Sequence, residues 1–266
     1  MTDWVQILSD NLAEVSDERA KEIGKLVTEK IVVVLRNQNL TVEDQLSFTK
    51  RCGNVAPTAG EKGKHMVIAP GVVRVTGKKN KDGKEGLFGH KETLDWHCNQ
   101  PSTDTRMPLI WLYGAEGTAG SRTSWLNMLE AYRGLPSDLA EEIKDIEITL
   151  GYKVGSYSTS EIFQEHHDTE NSFKIVRTNA AGNTGLYFPF LQLFGMKGVD
   201  ENRFHELMKK LKAHVLQEKY MYHHDWQDGD VVISEQWLSL HKRWAFEDIE
   251  KRVLHRIAFD YSNIYN

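Results

Sequence analysis

In Arg252-Val-Leu-His-Arg-Ile-Ala-Phe-Asp260 the two-residue period of a β-strand sorts the side chains into two sets. Arg252, Leu254, Arg256 and Ala258 share one face, and Val253, His255, Ile257 and Phe259 share the other. Two guanidinium groups on one face, beside apolar partners, are unusual because a buried arginine requires a paired anion. A dicarboxylate ligand would provide that anion through the bidentate fork. A structural aspartate or glutamate is the alternative partner.

The second half of the chain is β-rich around this strand. Candidate strands are Leu109 to Tyr113, Ile146 to Tyr152, Leu186 to Phe190, Val231 to Ser234 and Val253 to Tyr261, with turn signals such as Asp228-Gly229. One helix interrupts them, its stripe formed by Phe204, Leu207, Met208, Leu211 and Val215. In the first half, Ser16 to Lys30 predicts an amphipathic helix carrying Ala20, Ile23, Leu26 and Val27. Ile31 to Leu35 is continuous and β-branched, as in a strand buried on both faces. Thr41-Val-Glu-Asp44 has the form of a capping box that opens a short helix through Leu46, Phe48 and Thr49. These elements predict a mainly β fold with appended helices (α+β), its core a sandwich or barrel. Gly77 to Gly89, with four glycines and four lysines, reads as a solvated surface loop, with a ligand-contacting lid as the alternative.

The 266 residues, 40% of them hydrophobic, suit a single domain spanning 1–266, and β-rich folds of this length are common as one unit. A net charge of -5 argues against nucleic acid, which needs a concentrated basic face. The two cysteines, Cys52 and Cys98, form neither a disulfide framework nor a CxxC clip. The longest apolar run, Ile31 to Leu35, is too short to cross a bilayer, and Met1-Thr-Asp-Trp4 lacks the features of a signal peptide. The expectation is a cytoplasmic protein acting on a small molecule, with no membrane partner.

Eleven histidines suggest a search for metal ligands, and Trp96-His-Cys-Asn99, His166-His-Asp168, His223-His-Asp225 and His241 stand out. At these positions the chain resembles the taurine/α-ketoglutarate dioxygenase (TauD/TfdA-like) family over nearly its whole length. Ile31 to Gly53 is similar to the family's opening strand, turn and helix. Leu94-Asp-Trp-His-Cys-Asn99 stands in the place of its Trp-His-x-Asp, Ser121-Arg-Thr-Ser124 in that of its Gly-Asp-Thr, and Trp226-Gln-Asp-Gly-Asp230 leads toward the distal histidine, His241. Arg252 and Arg256 follow His241 by 11 and 15 residues, and Thr123 follows His97 by 26, in keeping with the family spacing.

The resemblance implies a double-stranded β-helix (jelly-roll) core and an Fe(II)- and 2-oxoglutarate-dependent oxygenase. His97 and His241 would be the imidazole ligands of Fe(II). Arg256 would clamp the distal carboxylate of 2-oxoglutarate, with Thr123 donating to the same group, and Arg252 would orient the site or contact substrate. Two nitrogens and one oxygen ligand leave three positions on iron for the keto acid and O2. The implied reaction hydroxylates a C–H bond of an amino acid or another small polar metabolite, releasing succinate and CO2.

One position departs from the pattern. Asn99 stands where the family has aspartate, so the third ligand position loses a negative charge. Asn99 is then a weak metal ligand or a near-ligand replaced by water in an active enzyme, or the mark of a catalytically silent ligand-binding member or of an engineered change from aspartate, or part of a chemistry needing an extra open position on iron. Asp95, two residues before His97, is a poor substitute. Adjacent histidines on a strand point to opposite faces, so His166-His167 and His223-His224 do not each chelate one metal. Cys98, between the two ligand positions, should point away into the core. Phe190 and Gln192 are substrate candidates, core packing being the alternative for Phe190, and Glu235 and Gln236 are candidates for tuning the site from behind.

Overall fold

The computed structural model describes residues 4–57, 61–99, 107–151 and 171–265. Its strands are β1 (Val5–Leu8), β2 (Val32–Leu35), β3 (Val67–Ala69), β4 (Val72–Val75), β5 (Leu94–His97), β6 (Leu109–Glu116), β7 (Arg122–Asn127) and β8 (Glu147–Leu150). They continue with β9 (Asn171–Lys174), β10 (Val176–Thr178), β11 (Thr184–Leu186), β12 (Leu193–Met196), β13 (Met221–Asp225), β14 (Val231–Glu235), β15 (Ser239–Arg243) and β16 (Val253–Phe259). The α-helices are α1 (Asp17–Lys30), α2 (Val42–Cys52), α3 (Met128–Arg133), α4 (Ser137–Ile143) and α5 (Glu201–Val215).

The arginine-bearing strand β16 lies inside a seven-stranded sheet of order β1-β2-β14-β6-β16-β4-β3. A four-stranded sheet, β13-β7-β15-β5, faces it. The residues between the sheets follow from alternation: Val32, Val34, Val73, Val75, Leu112, Val232 and Leu254 of the large sheet pack with Leu94 and Trp125 of the small one. The opposite face of the large sheet, with Val33, Leu35, Trp111, Ile233, Ile257 and Phe259, packs on Ala20, Ile23 and Val27 of α1 and Phe48 and Cys52 of α2. Strand β2 is buried throughout because both of its faces are covered, as its uninterrupted apolar run predicts. The outer face of the small sheet, with Trp96, Leu126 and Leu240, is covered by Leu207, Leu211 and Val215 of α5 and by Ile148 and Leu150 of β8. The layers are therefore helix, sheet, sheet, helix, with the jelly-roll sandwich in the middle.

Local signals set the helix ends. Ser16 Oγ accepts from the Arg19 N–H at 3.1 Å. Thr41 Oγ1 accepts from Asp44 N while Asp44 Oδ2 accepts from Thr41 N, completing the capping box. One strand prediction needs correction. Leu186 to Phe190 is a strand only to Leu186; beyond Tyr187, whose N–H donates to Ile175 O, Pro189 has no N–H to continue a ladder. The Ile146 to Tyr152 strand forms as β8, with Tyr152 outside the described residues, as are His166, His167 and Asp168. Among the described residues no helix is long and apolar enough to cross a membrane.

Gly229 makes the turn from Trp226 into β14 at φ +86, and a Cβ there would meet Gln38 O at 2.6 Å. The turn also places Gly229 O to accept from Gln38 N at 2.7 Å. Gly229→Ala is therefore expected to lower stability by about 1–3 kcal/mol through a strained left-handed backbone and a displaced contact. Urea unfolding followed by tryptophan fluorescence measures this, and an unchanged midpoint would refute the account.

Candidate active site

Strands β5 and β15 are neighbours, and their register sets His241 directly opposite His97. The two imidazoles lie with ring centroids 4.1 Å apart, and Trp125 stacks beside His241 at 6.4 Å. Both are enclosed, and burial pushes His97 down to about 4 and His241 well below the usual histidine range. The neighbouring His97 and the Arg256 guanidinium lower His241 further. His97 Nδ1 lies 2.7 Å from the carbonyl of Asp95, which can only accept, so Nδ1 carries the proton and Nε2 keeps its lone pair. Two neutral nitrogens side by side form a metal-ready pair.

These histidines line a cavity of about 40 Å³ together with Asn99, Thr123, Arg243, Arg252, Arg256 and an apolar wall that includes Phe88, Leu94 and Leu112. The sequence candidates His97, Asn99, His241, Thr123, Arg252 and Arg256 thus meet in one place. None of the described lining residues is acidic. Among the described residues, no structural carboxylate stands on this wall beside Arg252.

The arginines sit at different ends. Arg256 Nη1 donates to Asn99 Oδ1 at 2.9 Å and its charge acts on His241, so it belongs to the histidine end. Arg252, four residues earlier and just ahead of β16, lies up to about 13 Å away along the chain direction. It is 1% exposed, its Nε and Nη1 have no hydrogen-bond partner, and burial followed by the nearby Arg243 lowers it to about 9. Arg243 in turn pairs across strands with Thr123. Thr123, Arg243 and Arg252 therefore make the far end of the cavity.

Thr123 has a defined hydrogen-bond polarity. Its Oγ1 accepts from the Trp226 indole N–H at 2.9 Å, which leaves the hydroxyl hydrogen to donate to a ligand. Behind it, the buried His224 donates from Nε2 to Asp230 Oδ2 at 3.1 Å, while His223 on the opposite face reaches Ser124. The adjacent histidines thus play separate structural roles.

Asn99 is positioned from its backbone, whose N–H donates to Gln236 Oε1 at 2.8 Å. Gln192 Nε2 donates to the carbonyl of Cys98 at 2.9 Å, so Gln192 braces this turn from behind and does not line the cavity. Phe190 is also outside it. It stacks on Phe188 and borders a second cleft of about 550 Å³ on the outer face of the small sheet. Cys98 points into the core, its Sγ 3.2 Å from the Tyr187 hydroxyl. Asp95 pairs with Lys242 at 3.2 Å and faces away from the histidines.

Two wall residues were not singled out in the sequence. Phe88, at the end of the Gly77 to Gly89 loop, is buried with φ 54 and lies edge-on to His97 at 6.0 Å. Arg243 holds that end of the loop, donating to Phe88 O at 2.6 Å and to His90 O at 2.7 Å, and also to Glu92 O. Alternation from His241 to Arg243 was a signal for the arginine; nothing local marked the phenylalanine. Arg243→Lys keeps a charge but loses the planar fork. It is expected to speed hydrogen exchange across Thr76 to Thr93 while β6 and β14 keep their protection; unchanged exchange in the loop would show that the clamp is not what holds it.

The family model described as taurine catabolism dioxygenase TauD, TfdA family matches residues 4–258. Pentalenolactone F synthase from Streptomyces avermitilis is 22% identical, the match covering 94% of this chain and 88% of that protein. The alpha-ketoglutarate-dependent 2,4-dichlorophenoxyacetate dioxygenase from Cupriavidus pinatubonensis is 24% identical, with 89% and 86% covered. In fold, the chain is similar to the crystal structure of AAD-2 in complex with Mn(II) and N-oxalylglycine, with a TM-score of 0.77, 19% identity, and 98% and 95% of the two chains covered. It is likewise similar to a taurine dioxygenase from Burkholderia xenovorans, with a TM-score of 0.74, 18% identity, and 96% and 88% covered. With the match running nearly end to end over the sandwich that carries the paired histidines, the chain belongs to the TauD/TfdA dioxygenase family.

Proposed function

We propose that this protein is an Fe(II)- and 2-oxoglutarate-dependent oxygenase that oxidises a C–H bond of a small organic substrate. The carrying observation is the Arg252 guanidinium, buried and with two nitrogens unpartnered, in the same cavity as two neutral imidazoles. A buried cation without an anion is a site waiting for a ligand of opposite charge, and its fork suits a carboxylate. His97 and His241 would hold the metal at one end. At the other end Arg252 would bind the distal carboxylate, with the Thr123 hydroxyl donating beside it, so the two arginines exchange the roles that the resemblance implied. Iron(II) with 2-oxoglutarate and O2 supplies the oxidising chemistry, in which succinate and CO2 are released. The chain's own part is to keep the imidazoles neutral, fix the co-substrate's far end and exclude water with Phe88, Leu94, Leu112 and Leu254.

The wall also bears on the substrate. An amino acid would bring an ammonium group, and no acidic residue among the described ones lines the cavity to receive it. A molecule with an apolar body fits the wall better. Relatives named for 2,4-dichlorophenoxyacetate and (S)-phenoxypropionate have substrates of that kind by name. The second reading, a catalytically silent ligand-binding member, draws on one observation: the amide oxygen at Asn99 is already engaged by Arg256.

Anaerobic titration with Fe(II) and then 2-oxoglutarate, read by the visible charge-transfer band of a chelated keto acid, tests the proposal. The band is expected in the wild type. Arg252→Met is expected to weaken 2-oxoglutarate binding by about 10–100-fold, the worth of a charged hydrogen bond, whereas Arg256→Met should have the smaller effect. If no band forms in the wild type but one forms in Asn99→Asp, the silent reading prevails. Succinate formation coupled to O2 uptake then separates an active enzyme from a binder.

A further inference from the structure

The register of the small sheet lines up one residue from each of its four strands. Tyr222 of β13 stands opposite Trp125 of β7, Trp125 opposite His241 of β15, and His241 opposite His97 of β5. Directly paired residues share a face, so the four rings form a row from the edge strand to the histidine pair. Ring centroids are 6.2 Å apart from Tyr222 to Trp125 and 6.4 Å from Trp125 to His241, with planes tilted by 33° and 25°. Tyr222 is half-buried on the edge strand, where Trp4 meets it edge-on at 6.3 Å.

The two oxidisable rings of this row differ in where a proton can go. The Trp125 indole N–H is buried and has no hydrogen-bond partner among the described residues, so an oxidised Trp125 has no acceptor for its proton. Tyr222 has one. A carboxylate only accepts, so His224 Nε2 carries its proton toward Asp230 Oδ2 at 3.1 Å and leaves a lone pair on Nδ1. The Tyr222 hydroxyl, 3.0 Å away, therefore donates to that Nδ1. Burial raises the hydroxyl to about 12, so it keeps its proton until an electron is removed. Arg36, paired with Asp230, lies beside the same hydroxyl and disfavours a positive charge left on the ring. Loss of an electron from Tyr222 thus carries its proton across one existing hydrogen bond, onto an imidazole already faced by a carboxylate.

We propose that Tyr222 is a redox-active tyrosine that supplies one electron, through Trp125, to a strong one-electron oxidant formed at the histidine pair. The Tyr222 O–H bond breaks: the electron reduces the oxidant, the proton moves to His224 Nδ1, and a neutral tyrosyl radical remains. A small external one-electron reductant such as ascorbate then returns the electron at the edge of the sheet, and His224 returns the proton. The row gives the chain an outlet when the oxidant is made with no substrate to consume it, in place of damage to the residues around the cavity. The need for an outlet rests on the oxygenase reading, whereas the row and its proton path rest on the fold.

Two measurements on the full chain test this. In the metal-free protein, a flash-generated ruthenium(III) trisbipyridine complex oxidises from solution, and the radical is frozen and read by electron paramagnetic resonance. A neutral tyrosyl radical with a hydrogen bond to its oxygen is expected, and Tyr222→Phe should remove that signal. His224→Gln keeps an amide to face Asp230 but loses the Nδ1 acceptor. It should slow formation of the radical by about 100-fold, the worth of a positioned base. In the second measurement the protein is loaded with Fe(II) and treated with hydrogen peroxide, so that no 2-oxoglutarate is needed. The same signal is expected. Trp125→Phe, which keeps an apolar ring but no oxidisable indole, should lose it here and retain it under ruthenium. The proposal is overturned if Tyr222→Phe leaves the ruthenium-generated radical unchanged, if bound iron and peroxide leave Tyr222 unoxidised, or if Trp125→Phe leaves the iron-generated signal unchanged. Bound iron is established first from the resonance of its nitric oxide adduct; its absence sinks the oxygenase reading and leaves the ruthenium result to decide the relay. A Tyr222 signal with peroxide, but no succinate from 2-oxoglutarate and O2, sinks the oxygenase reading alone. Succinate without a Tyr222 signal sinks the relay alone.

Discussion

The Arg252 guanidinium lies between two β-sheets with Nε and Nη1 unpartnered, against a desolvation penalty of several kcal/mol. Everything else in the cavity is arranged around that unmet charge. The sandwich holds it among three apolar clusters that line both faces of the two sheets. Burial does opposite work on the two residue types. It favours the neutral form of the histidines, whereas the arginines stay cationic despite it, because their ordinary values are so high. Neutral ligands and positive clamps therefore coexist in one dry space.

The polar network behind the site is largely hydrogen-bonded, although Asp230 Oδ1 is buried without a partner. Within Trp226-Gln-Asp-Gly-Asp230, the indole holds Thr123 and Asp228 accepts from the N–H groups of Gly117 and Thr118. Asp230 accepts from Gln227 N, His224 and Arg36. This segment, adjacent to the chemistry but outside it, fixes which way the Thr123 hydroxyl can donate. Glu235 has a similar supporting role, its carboxylate accepting from the N–H groups of Trp237 and Leu238 ahead of β15. Such scaffolding explains why a motif can read as functional in sequence while touching no ligand.

Much of this was legible before the coordinates. The two-residue period of Arg252 to Phe259 placed both guanidinium groups on the inner face, and His97, Thr123 and His241 fall on inner-facing positions of the opposing sheet. Periodicity assigns a face but not a partner. Which arginine meets Thr123 depends on the register of β7 against β15, a long-range pairing that no local window contains. Phe190 shows the same limit: an aromatic after a strand has no face until the chain's path past Pro189 is known. Phe88 was hidden for another reason, since it belongs to a lysine-rich loop whose composition says solvent while its last residues turn inward.

That loop is pinned at both ends. Gly77 N–H donates to Ile249 O, Leu87 N–H donates to Arg74 O, and Arg243 holds the carbonyls that follow. Its tip closes on itself through Asn80, whose Oδ1 accepts from Asp82 N and Lys84 N. Strand β15 thus carries both His241 and the residue that anchors the loop. Doubling the length of the segment between the pins would cost only about 0.6 kcal/mol of closure entropy. The architecture amounts to an exchangeable cassette on a fixed socket: loop tips can be traded without disturbing the residues that line the cavity.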